Sequence, residues 1–308
     1  MHFAYIGNFD PPHSTENHVK QALEGLGHQV KPFQENAGLT AWELNPSDYD
    51  VVLWTRTKWD WENTQYVHEL QQTMLQKAKQ VGVPTVGFHL DRWWGLPRQS
   101  EIYTEPFFKV SLLVTADGGH DDLWQGQGIN HFWLPPGVSL YECKLGRYDR
   151  KYAADIAFVG SWQNYHPEWP HRAELVNFLS KFNCQFFPAN GEAVRGEELR
   201  NLYATTTINV GDSCLVNNAT HYWSDRIPET LGRGGFLIHP NVEGLEQHFV
   251  PGEHLATWDL GNWDELKLTL WSYLQDHKKR NIVAQAGRAH VLEHHTYHVR
   301  MKQLIEML

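Results

Sequence analysis

Residues 222–240 read Tyr-Trp-Ser-Asp-Arg-Ile-Pro-Glu-Thr-Leu-Gly-Arg-Gly-Gly-Phe-Leu-Ile-His-Pro, and this is the most informative stretch of the chain. Pro228 suits the first turn of a helix, the glycines end that helix, and the apolar residues 236–239 predict a strand. Positions three apart share one face of a helix, so the side chains of Arg226 and Glu229 can reach one ligand. A guanidinium neutralises a diphosphate, and a carboxylate accepts hydrogen bonds from both hydroxyls of a ribose. The alternative interpretation is a surface ion pair on an ordinary helix.

The bulk composition excludes several classes of protein. A length of 308 residues suits two domains, and a net charge of −10 argues against broad attraction to the phosphate backbone of nucleic acid. No run of about eighteen apolar residues predicts a membrane span, and the N-terminal residues 1–7 resemble a first strand rather than a signal peptide. Cys143, Cys184 and Cys214 have no metal-ligand spacing, so reduced thiols in a cytoplasmic protein are the simplest account.

Strand-like and helix-like segments alternate along both halves of the chain. Apolar runs that predict strands occupy residues 3–6, 29–33, 50–54, 84–89, 110–114, 131–134, 155–159, 207–210 and 235–239. Such alternation predicts parallel sheets covered by helices. We therefore expect an α/β protein with two doubly wound, Rossmann-like domains that face each other across a cleft. The expected domains are residues 1–141 and 153–293, joined by a polar linker, and a C-terminal helix in 294–308 is expected to pack back toward the first domain.

In doubly wound sheets, ligands bind outside the carboxyl ends of the strands. This rule selects the short segments that follow Ile6, Phe88, Val159, Val210 and Ile238.

The second half of the chain resembles glycosyltransferases of the GT-B fold, in particular the CgeB-like, glycosyltransferase family 4-like branch and its phage-type members. The resemblance is carried by residues 155–161 with Arg172, 224–229 through Gly235, 242–246 with 251–253, and 286–300. The first half resembles the same group more loosely at residues 7–17, 84–89 and 134–138.

This resemblance implies a transferase that takes a sugar from a nucleoside-diphosphate sugar, with a UDP-sugar as the expected donor substrate. The donor-binding residues it implies are Gly160, Ser161, Arg172, His221, Tyr222, Ser224, Arg226, Glu229 and Gly234. Many members have two glutamates eight residues apart on the donor side. Glu229 matches the second glutamate, but His221 occupies the position of the first. The identity of the donor sugar therefore stays open.

Transfer to an acceptor hydroxyl requires removal of its proton. Asp91 and His89 lie just past a predicted strand end, and the resemblance places His89 near the donor sugar. Asp91 is the expected base for an inverting reaction, and His13 on the opening loop is the competing candidate.

Further acceptor-side candidates surround these residues. They are Asn8, Arg92, Trp93 and Trp94. The two indoles are expected either to stack on an acceptor or to belong to a lid or the core.

No metal site is expected. The Asp48-Tyr-Asp50 sequence mimics a metal-binding D-x-D signature but precedes a strand, which puts it at the wrong edge of the sheet. His294 and His298 are four residues apart on a predicted helix, without a third ligand at a telling position.

The leading hypothesis is a metal-independent glycosyltransferase without a cofactor, which acts in the cytoplasm and has no membrane partner. Two alternatives stay open: a sugar-nucleotide epimerase of the same fold, and a catalytically degenerate protein that binds nucleotide sugars. The expected acceptor is a hydroxymethylated DNA base or a hydroxyl of a protein or glycan. Arg56, Lys58, Arg92 and Arg98 are candidates for contacts with DNA phosphates, although the overall acidity argues against this acceptor.

Overall fold

The computed structural model describes residues 1–37, 39–57, 62–162, 169–188, 193–216 and 219–308. The chain divides into two compact units. Unit 1 comprises Met1–Pro135 and Arg300–Leu308, and unit 2 comprises Pro136–Val299. The polar stretch 142–152, expected as a linker, is part of unit 2.

Unit 1 contains a six-stranded sheet, counted over the described residues, in the order β2-β1-β3-β4-β5-β6. Its strands are β1 (His2–Gly7), β2 (Gln29–Gln34), β3 (Val51–Trp54), β4 (Thr85–His89), β5 (Leu112–Thr115) and β6 (His131–Trp133). Its helices are α1 (Thr15–Gly25), α2 (Thr64–Gln80), α3 (Glu101–Thr104) and α4 (Asp121–Gly126).

Unit 2 contains five strands within the described ranges, in the order β11-β10-β9-β7-β8. These strands are β7 (Ile156–Val159), β8 (Cys184–Phe187), β9 (Ile208–Val210), β10 (Leu237–Pro240) and β11 (Ala256–Trp258). The helices are α5 (Pro170–Leu179), α6 (Gly196–Thr205), α7 (Arg226–Gly232), α8 (Trp263–Gln275), α9 (His277–His294) and α10 (Tyr297–Glu306), and α10 continues into unit 1.

Short 3-10 helices complete the secondary structure. They occupy Glu35–Ala37, Thr40–Trp42, Pro46–Asp48, Pro97–Ser100, Pro106–Lys109, Leu140–Glu142, Arg150–Tyr152 and Leu245–Gln247. None of the helices in the described ranges is long and apolar enough to cross a membrane.

Local sequence explains where these elements form. Ser14 caps α1, because its Oγ accepts a hydrogen bond from the Asn17 amide at 3.2 Å. All four residues of β3 are buried, as expected of a central strand covered on both faces. Helix α2 turns its buried apolar stripe, Val67, Met74, Leu75 and Ala78, toward the core.

Every strand pairing between the named strands of the described residues is parallel. The carboxyl ends of β7, β9 and β10 therefore lie side by side at one edge of the sheet in unit 2. In unit 1 the carboxyl ends of β4 and β5 are neighbours in the same way. These edges carry the segments that the sequence selected as candidate sites.

Candidate active site

The pair that the sequence singled out does form a direct contact. Arg226 Nη1 donates to Glu229 Oε2 at 3.0 Å and to the Tyr203 hydroxyl at 2.8 Å. The side chains of Arg226 and Glu229 are each only 14% exposed, so this is not the freely solvated surface pair of the alternative interpretation. Tyr203 comes from α6, a helix that the sequence analysis missed. The guanidinium is held by two partners before any ligand arrives.

Glu229 belongs to a longer chain of alternating charges. Arg233 Nη1 lies 4.0 Å from Glu229 Oε1, and Arg233 Nη2 lies 3.5 Å from Glu142 Oε2. Arg200 Nη1 donates to the same Glu142 oxygen at 3.0 Å. Arg226 and Arg233 thus balance the charge of the Glu229 carboxylate and hold it in place in α7, and Glu142 in turn balances Arg233.

A second buried ion pair joins two neighbouring strand ends. Arg172, at the first turn of α5, donates from Nε and Nη2 to the two Asp212 oxygens at 2.8 and 2.7 Å. Its Nη1 also donates to the carbonyl of Ser161 at 3.1 Å, and its guanidinium lies 4.0 Å from the Trp169 ring centroid. The bidentate geometry ties the segment after β7 to the segment after β9.

Asp212 was not among the predicted residues. Burial raises the pKa of its carboxyl, and the adjacent Arg172 guanidinium opposes this shift. An aspartate directly after an apolar strand and Gly211 was the sequence signal that could have found it.

Three glycines near the candidate site differ in whether a side chain could replace their hydrogen. A Cβ on Gly211 would lie 2.9 Å from Arg226 Cγ, so only glycine lets the arginine stem rest on the end of β9. Gly234 has φ +85, and its Cβ would lie 2.6 Å from Leu145 Cδ2. A Cβ on Gly160 would meet its nearest neighbour, Phe158, at an ordinary 3.4 Å. Packing therefore requires a glycine at position 211, the positive φ requires one at position 234, and neither reason applies at Gly160.

The segment before α7 holds the other predicted donor residues. His221 has φ 50, an unusual conformation for a side chain other than glycine. Its ring lies against Gly244, where an added Cβ would come within 2.5 Å of His221 Cδ2. Tyr222 is buried, and Ser224 Oγ donates to the carbonyl of Asp212 at 2.9 Å. The structure thus brings Ser224, Arg226 and Glu229 together at the edge of the sheet, and Tyr222 in the same segment is buried.

In unit 1, His89 is the last residue of β4 and Asp91 lies just past its end, at the edge that the sequence predicted. The Asp91 amide donates to His89 Nδ1 at 3.1 Å, and His89 also hydrogen-bonds to the backbone of Arg56. Burial lowers the pKa of His89. The Asp91 side chain is 50% exposed, and its Oδ2 accepts a hydrogen bond from Arg98 Nη1 at 3.0 Å. Asp91 is thus the more accessible of the two candidate bases.

Trp93 and Trp94 are fully buried members of the core of unit 1, so of the two roles foreseen for them the structure shows the core role. Their backbone amides donate to Asp117 Oδ2 at 2.8 and 2.9 Å. Arg92 is buried beside them, with Nε 3.8 Å from Asp117 Oδ1. Burial raises the pKa of Asp117 to about 6. Asp117 was missed by the sequence analysis, although it follows β5 at the predicted edge.

The opening loop is held by side-chain hydrogen bonds. Asn8 Oδ1 accepts a hydrogen bond from Gln34 Nε2 at 2.7 Å, which ties the end of β1 to the end of β2. His13 is exposed, and its ring centroid lies 6.4 Å from that of His18.

The cations considered for DNA contacts are placed differently from the expectation. Arg56 is completely buried and paired with Glu105, and Arg92 is 1% exposed. Neither side chain presents its charge to a phosphate backbone in this structure. Arg98 pairs with Asp91, and Lys58 lies outside the described residues.

The residues of the two metal motifs considered in the sequence make contacts with neighbouring protein groups. Asp50 precedes β3, and its Oδ2 accepts a hydrogen bond from the His2 amide at 2.7 Å at the amino edge of the sheet. The His298 ring packs against Tyr141 with centroids 5.6 Å apart, and the His294 ring packs against His290 at 4.8 Å.

The chain resembles known proteins in both sequence and fold. Residues 145–306, more than half of the chain, match the family model described as glycosyl transferase-like. The chain belongs to this glycosyl transferase-like family. A search of the curated proteins returned no match.

Solved structures of other proteins share the whole fold. An α-glucosyltransferase in complex with UDP-glucose and DNA containing an abasic site superposes with a TM-score of 0.71 at 9% identity, covering 100% of this chain and 99% of that one. HepE from Anabaena in complex with UDP-glucose gives 0.63 at 13%, with coverages of 100% and 99%. Sucrose-phosphate synthase from Thermosynechococcus elongatus gives 0.63 at 12%, with coverages of 100% and 98%. At such identities the likeness shows the fold, and it confirms the GT-B prediction.

Proposed function

We propose that this family member transfers a sugar from a UDP-sugar to an acceptor hydroxyl. The observation that carries the proposal is the largely buried Arg226–Glu229 pair beside the carboxyl ends of β9 and β10. The two side chains lie on one helix face. The guanidinium suits the negatively charged diphosphate of a nucleotide, and the carboxylate suits the ribose hydroxyls, which donate hydrogen bonds. HepE and the α-glucosyltransferase, which share the fold, were solved with UDP or UDP-glucose bound.

In this proposal, donor binding replaces the hydrogen bond between Arg226 and Glu229 by two contacts with the donor. The ribose hydroxyls donate to Glu229, and Arg226 turns its released N–H toward the diphosphate while Tyr203 continues to hold the guanidinium. When the glycosidic bond breaks, negative charge grows on the leaving diphosphate, and a fixed cation at that point lowers the barrier. These charges come from side chains, so we propose that transfer requires no metal ion.

Unit 1 supplies the acceptor-side chemistry in the same proposal. Asp91 is the base, because its carboxylate is half exposed and held in place by Arg98. His89 serves to orient the Asp91 backbone through the amide hydrogen bond to its Nδ1. His13 is the alternative base on the opening loop.

The acceptor belongs to one of two classes. The α-glucosyltransferase of similar fold was solved with DNA containing a hydroxymethylated uracil base, which makes a modified DNA base the first class to test. A protein or glycan hydroxyl is the second class, and the burial of Arg56 and Arg92 favours it. Both classes are compatible with the CgeB-like, family 4-like, phage-type branch that we propose for the chain. We also propose a cytoplasmic location, because the three cysteines, all among the described residues, form no disulfide.

His221 at the position of a family glutamate favours a second candidate, a degenerate protein that binds a nucleotide sugar without turnover. The imidazole rests on Gly244 and offers a donor or a single lone pair where a carboxylate would accept hydrogen bonds from sugar hydroxyls. Donor binding without product on any acceptor would support this candidate.

The decisive experiment combines binding and product analysis. UDP and UDP-glucose should raise the melting temperature of the wild type, and a donor pool with modified DNA, glycans and protein should give a glycosylated product by mass spectrometry. We expect Arg226→Ala and Glu229→Ala to lose donor binding while they remain folded, and Lys267→Ala on the exposed face of α8 to behave as wild type. Indifference of the wild type to every nucleoside diphosphate would overturn the proposal.

A further inference from the structure

His239, at the carboxyl end of β10, is a completely buried histidine with both ring nitrogens in use. Its Nδ1 lies 2.8 Å from the carbonyl oxygen of Pro240, and its Nε2 lies 2.9 Å from Ser213 Oγ. The ring also hydrogen-bonds to the backbone of Asp212, so His239 joins the end of β10 to Asp212 and Ser213, which follow β9. Burial lowers the pKa of His239 to about 4, in keeping with a neutral ring.

Ser213 connects His239 to the segment that precedes α7. The Ser213 hydroxyl oxygen lies 2.9 Å from His239 Nε2 and 3.4 Å from Ser224 Oγ, and it accepts a hydrogen bond from the backbone amide of Ser224 at 2.8 Å. The Ser224 hydroxyl in turn donates to the carbonyl of Asp212 at 2.9 Å. These reciprocal bonds attach residue 224 to the end of β9.

The first turn of α7 starts directly from this attachment. The Ile227 amide donates to the carbonyl of Ser224 at 3.3 Å, and the Glu229 amide donates to the carbonyl of Asp225 at 2.9 Å. The stem of Arg226 lies on Gly211, so a shift of residue 224 would move the guanidinium along the strand end.

We propose that His239 is a positioning residue for the donor site, which acts through Ser213 and Ser224 to set where Arg226 and Glu229 lie. The inference rests on the proposed function for its consequence, because nucleotide binding is the property that the position of α7 controls. His239 is completely buried, so its proposed effect on the nucleotide is indirect.

Two substitutions of the same residue separate the two ring contacts. In His239→Asn the amide nitrogen takes the place of Nδ1 and keeps the bond to Pro240, but the side chain no longer reaches Ser213. In His239→Gln the longer side chain brings its amide group to the place of Nε2 and keeps a hydrogen-bonding partner for Ser213. Ser213→Thr retains the hydroxyl, and Ser213→Ala removes it.

The binding experiment uses UDP as the probe in isothermal titration calorimetry. We expect His239→Asn and Ser213→Ala to weaken UDP binding by about tenfold, the effect of one lost buried hydrogen bond. His239→Gln and Ser213→Thr should stay within about threefold of the wild type. In the Arg226→Lys background the effect of His239→Asn should largely disappear, because a residue that acts through another shows a non-additive cycle. Equal loss in His239→Asn and His239→Gln, or additivity with Arg226→Lys, would overturn the inference.

A second measurement needs no nucleotide and separates this inference from the proposed function. Hydrogen exchange of the peptide that contains Ser224 and Arg226 should accelerate in His239→Asn but not in His239→Gln. If the wild type binds no UDP and this difference is seen, the positioning role holds and the proposed function fails. If the exchange of both variants matches the wild type, His239 does not position α7.

Discussion

At the scale of single residues, the candidate donor site depends on close contacts that no other residue type would allow. Arg226 reaches its place because Gly211 has no side chain, and it is then fixed by Tyr203 and Glu229. The Arg226–Glu229 contact follows from helical spacing and was predictable. The contact with Tyr203 spans 23 residues, and that between Arg172 and Asp212 spans 40, so neither is visible in a local pattern.

Gly211→Ala tests this packing directly. The new Cβ would lie 2.9 Å from Arg226 Cγ and 3.3 Å from Leu237 Cδ1, so the arginine stem has to move. We expect a loss of about 1–3 kcal/mol in the free energy of unfolding, as for overpacking of a core, together with weaker UDP binding by calorimetry. Gly126→Ala, at the end of α4 in unit 1, is the matched control, because its added Cβ would meet no other atom of the described residues within 4 Å and should change neither property. Equal behaviour of the two variants would contradict the account.

At the scale of elements, the loop between β4 and α3 shows why its indoles were ambiguous in sequence. Two adjacent tryptophans after a strand suit a binding platform as well as a core. The orientation of the two indoles depends on Asp117, which follows the neighbouring strand β5. Its Oδ2 accepts hydrogen bonds from the backbone amides of Trp93 and Trp94. The edge strands β8 and β11 were missed for a related reason. They are short, and β8 is only half buried, so neither shows a clear apolar period.

The buried carboxyl that holds this loop makes stability depend on pH in an unusual direction. Burial raises the pKa of Asp117 to about 6, so between its unfolded pKa of about 4 and this value the folded chain binds the extra proton. The contribution of Asp117 to stability therefore falls as the pH rises through this window. We expect the wild type to lose about 1–2 kcal/mol relative to Asp117→Asn between pH 5 and pH 8.

Urea denaturation followed by tryptophan fluorescence measures this difference. Asp122→Asn, on the exposed face of α4, is the control and should track the wild type at each pH. A difference between wild type and Asp117→Asn that does not change with pH would show that Asp117 titrates as an ordinary aspartate in the folded protein.

At the scale of the whole molecule, the division into two units predicts where a nucleotide acts. A ligand that binds only the native state raises the free energy of local opening around its site, by about 2.7 kcal/mol at a hundredfold excess over Kd. We expect UDP to slow hydrogen exchange in unit 2, in α6, α7 and the ends of β9 and β10, and to leave the sheet of unit 1 unchanged. The protection should be the same with EDTA, because the proposed donor site uses cationic side chains. Protection confined to residues 1–135, or its loss with EDTA, would contradict this assignment.

Sequence alone was enough to predict the alternation of strands and helices, the parallel sheets, the sheet edges that carry the candidate sites and the shared helix face of Arg226 and Glu229. These features depend on apolar periodicity and on residues a few positions apart, which a linear pattern records. Only the tertiary structure decided that Arg56 and Arg92 are buried in ion pairs, that Trp93 and Trp94 belong to the core, and that Tyr203, Asp212, Asp117 and His239 support the candidate sites. The physical reason is that burial and hydrogen bonding are set by neighbours distant in sequence. A charged or aromatic side chain after a strand has the same local pattern whether it faces a ligand or a buried partner.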